Sequence, residues 1–171
     1  MNKNKVFLLI ALFWIIIIFG FIGVKEYTLK TGEEVILKTR PVDPRDFFRG
    51  DYVILNYEIS TLDLASLEAD TFNVDDKIYV TLNQQDGFGI PSGAYRTSPE
   101  EGLFIKGTVK EVKDDRVDIE YGIESYFVPE GEGKVIERQR SGNVDVKVVI
   151  DKYGTAMIKA VLIDGEEVIF N

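Results

Sequence analysis

The chain contains no cysteine and no histidine among its 171 residues, and a single tryptophan. Without cysteine there is no disulfide scaffold, thiol nucleophile, lipid-modified thiol or thiolate metal site. Without histidine the commonest general base at neutral pH and the commonest zinc ligand are missing, which excludes histidine-dependent triads and histidine-held zinc. Metal binding is left to oxygen ligands. Asp75-Asp76 and Asp114-Asp115 are adjacent pairs, but neither belongs to the spaced D-x-D-x-D-G loop of a strong calcium site. They read as solvated turns, so no metal is expected. Gly87-Phe88-Gly89 has no helix pattern after it and is not a nucleotide cradle. No cofactor is implied. Positive charge is also scarce, with 20 basic against 29 acidic residues. Such a field repels phosphate backbones and argues against nucleic-acid binding.

One long apolar run is present. Residues 6–24 read VFLLIALFWIIIIFGFIGV with no charge. At about 1.5 Å per helical residue this nearly crosses a hydrocarbon core about 30 Å thick. Lys3 and Lys5 precede it, so the positive-inside rule places residues 1–5 as a cytoplasmic tail, 6–24 as a transmembrane anchor in the lipid bilayer, and 25–171 outside. A cleaved secretory signal shares the basic start and apolar run. Its apolar part is shorter, however, and ends in a small-residue site that is not found after Ile18. The expected location is the cell membrane, single-pass, with the amino terminus inside. With Lys3 and Lys5 on the other side, the outer part keeps 18 basic and all 29 acidic residues, a net charge of −11. Its length suits one domain with one core.

Strand signals dominate that outer part. Residues 34–39 (EVILKT) and 52–59 (YVILNYEI) are rich in β-branched and aromatic residues, as are 76–83 (DKIYVTLN). Residues 103–112 and 116–121 flank Lys113-Asp114-Asp115, and residues 144–150 and 155–163 flank Asp151 to Gly154, which predicts two antiparallel hairpins. Residues 43–50 (DPRDFFRG) read as a turn or a single helical turn. Leucines at 62, 64 and 67 suggest a short helix over 62–69, and Pro129 followed by early glutamates and later basic residues suggests another. Residues 84–102, rich in Gly, Pro, Gln and Ser, read as the longest loop. The expected class is mainly β: an amino-terminal transmembrane helix, then an antiparallel sheet or small open barrel with one or two short helices.

Two segments stand out. Residues 41–59 read PVDPRDFFRGDYVILNYEI and contain an octapeptide, GDYVILNY, that fits G-D-Y-x-x-L-x-Y. Residues 121–137 read YGIESYFVPEGEGKVIE. Both resemble the proximal and distal motifs of the GDYXXLXY proteins, and with the anchor the similarity spans essentially the whole chain. The resemblance implies a membrane-anchored protein, in some cases associated with multi-span membrane proteins, and implies no reaction. Read for its physics, Gly50-Asp51 makes a turn into a strand on which Val53, Leu55, Tyr57 and Ile59 share one face and Tyr52, Ile54, Asn56 and Glu58 the other. The first face is the core candidate, and a buried Tyr57 then needs a polar partner for its hydroxyl.

Asp43, Arg45, Asp46, Arg49 and Asp51 fall within nine residues beside Tyr52. They form either a mutual ion-pair network at the corner or, with Tyr121, Glu124, Tyr126 and Glu130 of the second segment, a binding surface for a carboxylate or phosphate. Three functions follow. The first is a non-enzymatic accessory or binding module for a membrane protein or envelope component. The second is a glycan-active enzyme pairing Asp46 or Asp51 with Glu124 or Glu130, with Tyr52, Tyr121 and Tyr126 stacking on sugars. The third is a peptidase resembling signal peptidases, which also combine an anchor, a β-rich outer domain and a Gly-Asp turn. It lacks the Ser-Met pair expected before that turn, since Ser60 and Ser66 come after it.

Overall fold

In the computed structural model, the described residues are 3–40, 48–49, 52–127 and 144–168. Helix α1 runs Lys3–Thr31. Nearly all of its large side chains from Phe7 to Ile22 are exposed, around the whole helix. The apolar stretch long enough to cross a bilayer is Phe7–Thr31. The helix therefore continues seven residues past the expected anchor. It then stops within one residue, because Gly32 donates its backbone N–H to the Thr28 carbonyl at 2.9 Å and strand β1 (Glu33–Lys38) begins next.

Gly32 allows this abrupt change. A Cβ on it would lie 2.5 Å from Val149 Cγ1 and 2.8 Å from two backbone oxygens, those of Thr28 and Ile150. The last helical turn is thus laid directly on the sheet. Thr28 is 3% exposed, and its hydroxyl donates to the Asp151 carboxylate at 3.3 Å.

The remaining strands are β2 (Phe48–Arg49), β3 (Tyr52–Ile54), β4 (Thr61–Asp63), β5 (Glu68–Ala69), β6 (Lys77–Gln85), β7 (Phe88–Tyr95), β8 (Phe104–Lys113), β9 (Arg116–Glu120), β10 (Ser125–Phe127), β11 (Val144–Ile150), β12 (Ala156–Ile163) and β13 (Glu166–Glu167). The main sheet has the order β13-β12-β11-β1-β7-β6-β8-β9-β4, with β5 also on β7, and a small sheet has the order β10-β3-β2. The main sheet is open and mostly antiparallel, as expected, with two short parallel contacts, β1 on β7 and β5 on β7. The first of these has one register pair, Ile36 with Phe88. It joins a four-strand half to the rest.

Both expected hairpins are present, as β8–β9 and β11–β12. Alternation places Val35 and Leu37 of β1, Val146 and Val148 of β11, Ile78 and Val80 of β6, and Ile105 and Val109 of β8 in one buried cluster. Val53, Leu55, Tyr57 and Ile59 lie in the same cluster, the face assigned to the core from sequence.

Three expectations need correction. Residues 84–102 are not a long loop: β6 and β7 form a hairpin through Asp86 and Gly87, both at positive φ (53° and 84°), the geometry of a two-residue type I′ turn. The segment 62–69 is not a helix. Leu62 pairs with Val117 in β4–β9, and Asp63 accepts the Ala65 N–H at 3.1 Å to start one 3-10 turn, Leu64–Ser66, before β5. The strand expected over 52–59 ends at Ile54. Tyr57 makes an isolated bridge with Thr39, and a 3-10 turn, Glu58–Ser60, follows. The turn expected at 43–50 and the helix expected after Pro129 lie outside the described residues, except that Phe48 and Arg49 form β2.

Candidate functional site

The two motif segments lie side by side. Strand β10 pairs antiparallel with β3 in the register Ser125 with Ile54, Tyr126 with Val53, and Phe127 with Tyr52. Beyond the ladder, Leu55 donates its N–H to the Glu124 carbonyl at 2.8 Å. Two buried tyrosines then cross between the segments. The Tyr57 hydroxyl donates to the Ile123 carbonyl at 2.7 Å, and the Tyr121 hydroxyl donates to the Ile59 carbonyl at 2.7 Å. Each segment thus supplies one phenol and one carbonyl, forming a reciprocal clasp. Burial, and secondarily the nearby Glu124 carboxylate, pushes both phenols well above the usual tyrosine range. Both stay neutral donors.

Among the described residues, the Glu124 carboxylate is bonded to its own turn. Its two carboxylate oxygens accept the N–H groups of Tyr121 at 2.5 Å and Gly122 at 2.9 Å, closing the turn in which Gly122 sits at φ 83°. Tyr126 is half-buried and packs against the core cluster. Arg49 and Tyr52 form a cross-strand pair in β2–β3. Asp43, Arg45, Asp46, Asp51 and Glu130 lie outside the described residues. Of the ten candidates, Tyr121, Glu124 and Tyr126 are described with their side chains, and Tyr121 and Glu124 serve the fold.

Ile59, at one end of the clasp, also lines a cleft that sequence reasoning did not anticipate. After the Ile36–Phe88 pair, β1 leaves β7 and turns to the first motif segment: Thr39 bridges Tyr57, and Arg40 donates its N–H to the Asn56 carbonyl at 2.7 Å. The gap between the two is a cleft of about 500 Å³. Lys38, Arg40 and Glu58 stand on one side, Phe88 to Pro91 on the other, and Ile59, Leu62 and Leu67 supply apolar lining.

The Lys38 ammonium lies 5.0 Å from the centre of the Phe88 ring, a cation–π distance. The Arg40 guanidinium donates to the Glu58 carbonyl at 3.2 Å. Among the described residues neither cation enters an ion pair with a carboxylate at salt-bridge distance. Asp145 faces Lys38 across the β1–β11 ladder. Burial raises the Asp145 carboxyl above its usual range, against the pull of Lys38. Ser66 in the cleft donates its hydroxyl to the Asp63 carbonyl at 2.7 Å, and Asp63 caps the same turn.

The lining carries two cations, Lys38 and Arg40, and two carboxylates, Glu58 and Asp63, beside apolar side chains. Among the described residues no three acidic side chains cluster in a metal-binding arrangement. Lys38 and Arg40 carried a sequence signal only as an outward i, i+2 pair at the end of a strand, and their meeting with Phe88 depends on a parallel contact between distant segments.

Comparison with curated proteins and with solved structures gave no match. A family model, described as GDYXXLXY protein, matches residues 14–161, which takes in the second half of α1, both motif segments and nearly all of the sheet. The chain therefore belongs to the GDYXXLXY protein family.

Proposed function

We propose that the chain is a single-pass, membrane-anchored accessory module, without catalysis of its own, whose outer domain binds an anionic segment of a neighbouring membrane protein in the β1/β7 cleft. The observation that carries this reading is the cleft itself: in a chain of net charge −9, Lys38 and Arg40 both line it, and although Glu58 and Asp63 line it too, neither cation has a carboxylate at salt-bridge distance among the described residues. A carboxylate or phosphate placed there meets a lysine steadied on Phe88 and a guanidinium steadied on Glu58. Anchoring is supported by the apolar length of α1, and the outward orientation by Lys3 and Lys5 before it and the acidic charge after it. The motif tyrosines support a scaffold role, since Tyr57 and Tyr121 are buried and committed to backbone carbonyls.

The test uses a photo-crosslinking residue in place of Ile90, on the cleft rim, in native membranes. One discrete adduct is expected, lost when Lys38→Glu and Arg40→Glu are added. Labelling no different from that at the exposed Val74, or an adduct indifferent to both charge reversals, overturns the cleft as the binding site. Topology is read separately. The chain lacks cysteine, so a Lys113→Cys variant should react with a membrane-impermeant maleimide on intact cells, and protection until lysis refutes the outward orientation.

A further inference from the structure

The β11–β12 turn lies beside the end of α1. Asp151 in that turn lies at the level of Thr28, whose hydroxyl it accepts. Its other carboxylate oxygen accepts the N–H groups of Tyr153 and Thr155, each at 2.9 Å, and Gly154 donates its N–H to the Asp151 carbonyl at 2.9 Å. The turn is therefore locked on Asp151, and Asp151 on the helix. From there the turn reaches back along α1 toward the membrane, because Lys152 and Tyr153 line a mostly apolar groove of about 460 Å³ with Phe19, Gly20, Gly23 and Tyr27. Gly20 is eight residues before Thr28, about 12 Å down the helix axis, and Phe19 lies about 8 Å inside the end of the uncharged run at Val24. The groove thus straddles the end of the uncharged run, with Tyr27 three residues outside Val24 and Phe19 five inside it, the region where headgroups give way to acyl chains.

The side chains suit that depth. Tyr153 is 64% exposed and Tyr27 60% exposed, and Lys152 holds its ammonium 5.0 Å from the centre of the Tyr153 ring. Tyrosine and lysine are the residue types that place an apolar body in the interface and a polar tip in water. A Cβ added at Gly20 or Gly23 would meet nothing within 4 Å, so the groove is open to a lipid chain. The helix and sheet are joined through Gly32 alone, with no flexible linker to absorb a misfit.

We propose that Lys152 and Tyr153 dip into the outer leaflet beside α1, so that the domain stands on the membrane at two points and its cleft is held at a fixed tilt. This rests on the reading of α1 as a membrane anchor. The test uses the full chain in phosphatidylcholine vesicles with Trp14→Phe and Tyr153→Trp, so that position 153 carries the single tryptophan, and a control pair, Trp14→Phe with Lys113→Trp, at the far tip of the β8–β9 hairpin. Lipids brominated near the top of the chain should quench the tryptophan at position 153 at least about twofold more than the one at position 113, while aqueous iodide shows the reverse order, as expected for an interfacial residue.

Iodide quenching at position 153 equal to that at position 113, without quenching by brominated lipid, in protein that still floats with the vesicles after an alkaline wash, overturns the second contact and leaves the anchor standing. Protein that fails to float overturns the anchor and the contact with it. In the chain carrying Tyr153→Trp, brominated-lipid quenching that falls when the turn is released by added Asp151→Ala supports the turn as the positioning element, and quenching unchanged by added Lys152→Glu removes Lys152 from the contact.

Discussion

Removing the two hydroxyls of the tyrosine clasp tests whether the family motif is a structural device. In Tyr57→Phe the ring stays in the core and only the 2.7 Å bond to the Ile123 carbonyl is lost. Tyr121→Phe does the same to the Ile59 carbonyl. Each bond contributes about 1 kcal/mol net, and each leaves a buried carbonyl without its donor, so each single variant should lose about 1–3 kcal/mol. Both bonds hold the same two segments together. Once one is cut the gap can loosen and admit water, so the double variant should cost less than the sum, with a coupling of about 0.5–3 kcal/mol. The measurement is urea unfolding of the full chain in nonionic micelles, followed by far-UV circular dichroism, with the slope compared so that midpoint shifts can be read as stability. Thermal midpoints should fall by about 2–4 °C for each kcal/mol at this size. Single losses below about 0.5 kcal/mol, the range of surface substitutions, or strict additivity, would refute the clasp as the bond between the two motifs.

The same two phenols set an alkaline limit. Burial, then Glu124, raises both folded pKa values above that of an unfolded tyrosine, so their contribution is complete below about pH 10 and is lost as pH rises above it, by up to about 1.4 kcal/mol per pH unit for each; urea midpoints from pH 9 to 11 should steepen downward in the native chain more than in the double phenylalanine variant. Gly32→Ala forces a methyl group against Val149 and two backbone oxygens and should cost about 1–3 kcal/mol, read by the same unfolding assay; a neutral result would refute the close joint. Gly87→Ala places a side chain at φ 84° in the β6–β7 turn, and the expected loss is about 1 kcal/mol, with no change in crosslinking at the cleft if the hairpin keeps its register.

The face of the motif strand was legible because alternation survives even where the ladder does not. Val53, Leu55, Tyr57 and Ile59 are all buried although the strand formally ends at Ile54. The need of Tyr57 for a polar partner was legible for the same reason, but the identity of that partner, Ile123, was not, since it is 66 residues away. The β6–β7 hairpin was missed although Asp86-Gly87 carries a strong turn signal: the glycines, proline and serine of residues 89–93 outweighed it as loop formers. In the structure Gly89 and Gly93 are places where neighbouring side chains come close, with Val35 Cγ2 and Tyr95 Oη each under 3.0 Å from an added Cβ, so those glycines serve packing within a strand. The cleft was illegible because it arises where β1 changes partner from β7 to the first motif segment, an event of topology that no local pattern records.

That change of partner also ties the motif to the cleft. The Thr39–Tyr57 bridge and the Arg40 to Asn56 hydrogen bond fix the backbone on which Arg40 stands, and the Arg40 guanidinium then rests on the carbonyl of Glu58, one residue past Tyr57. Tyr57 is held in turn by Ile123, and Ile59 by Tyr121. A ligand in the cleft therefore touches side chains whose positions are set two bonds away by the buried tyrosines. Loss of the clasp should loosen Arg40 before it unfolds the sheet, so Tyr121→Phe, at a temperature where it remains folded, should weaken crosslinking from Ile90 although Tyr121 does not line the cleft. Full crosslinking in that variant would separate the motif from the binding surface and leave the clasp a matter of stability alone.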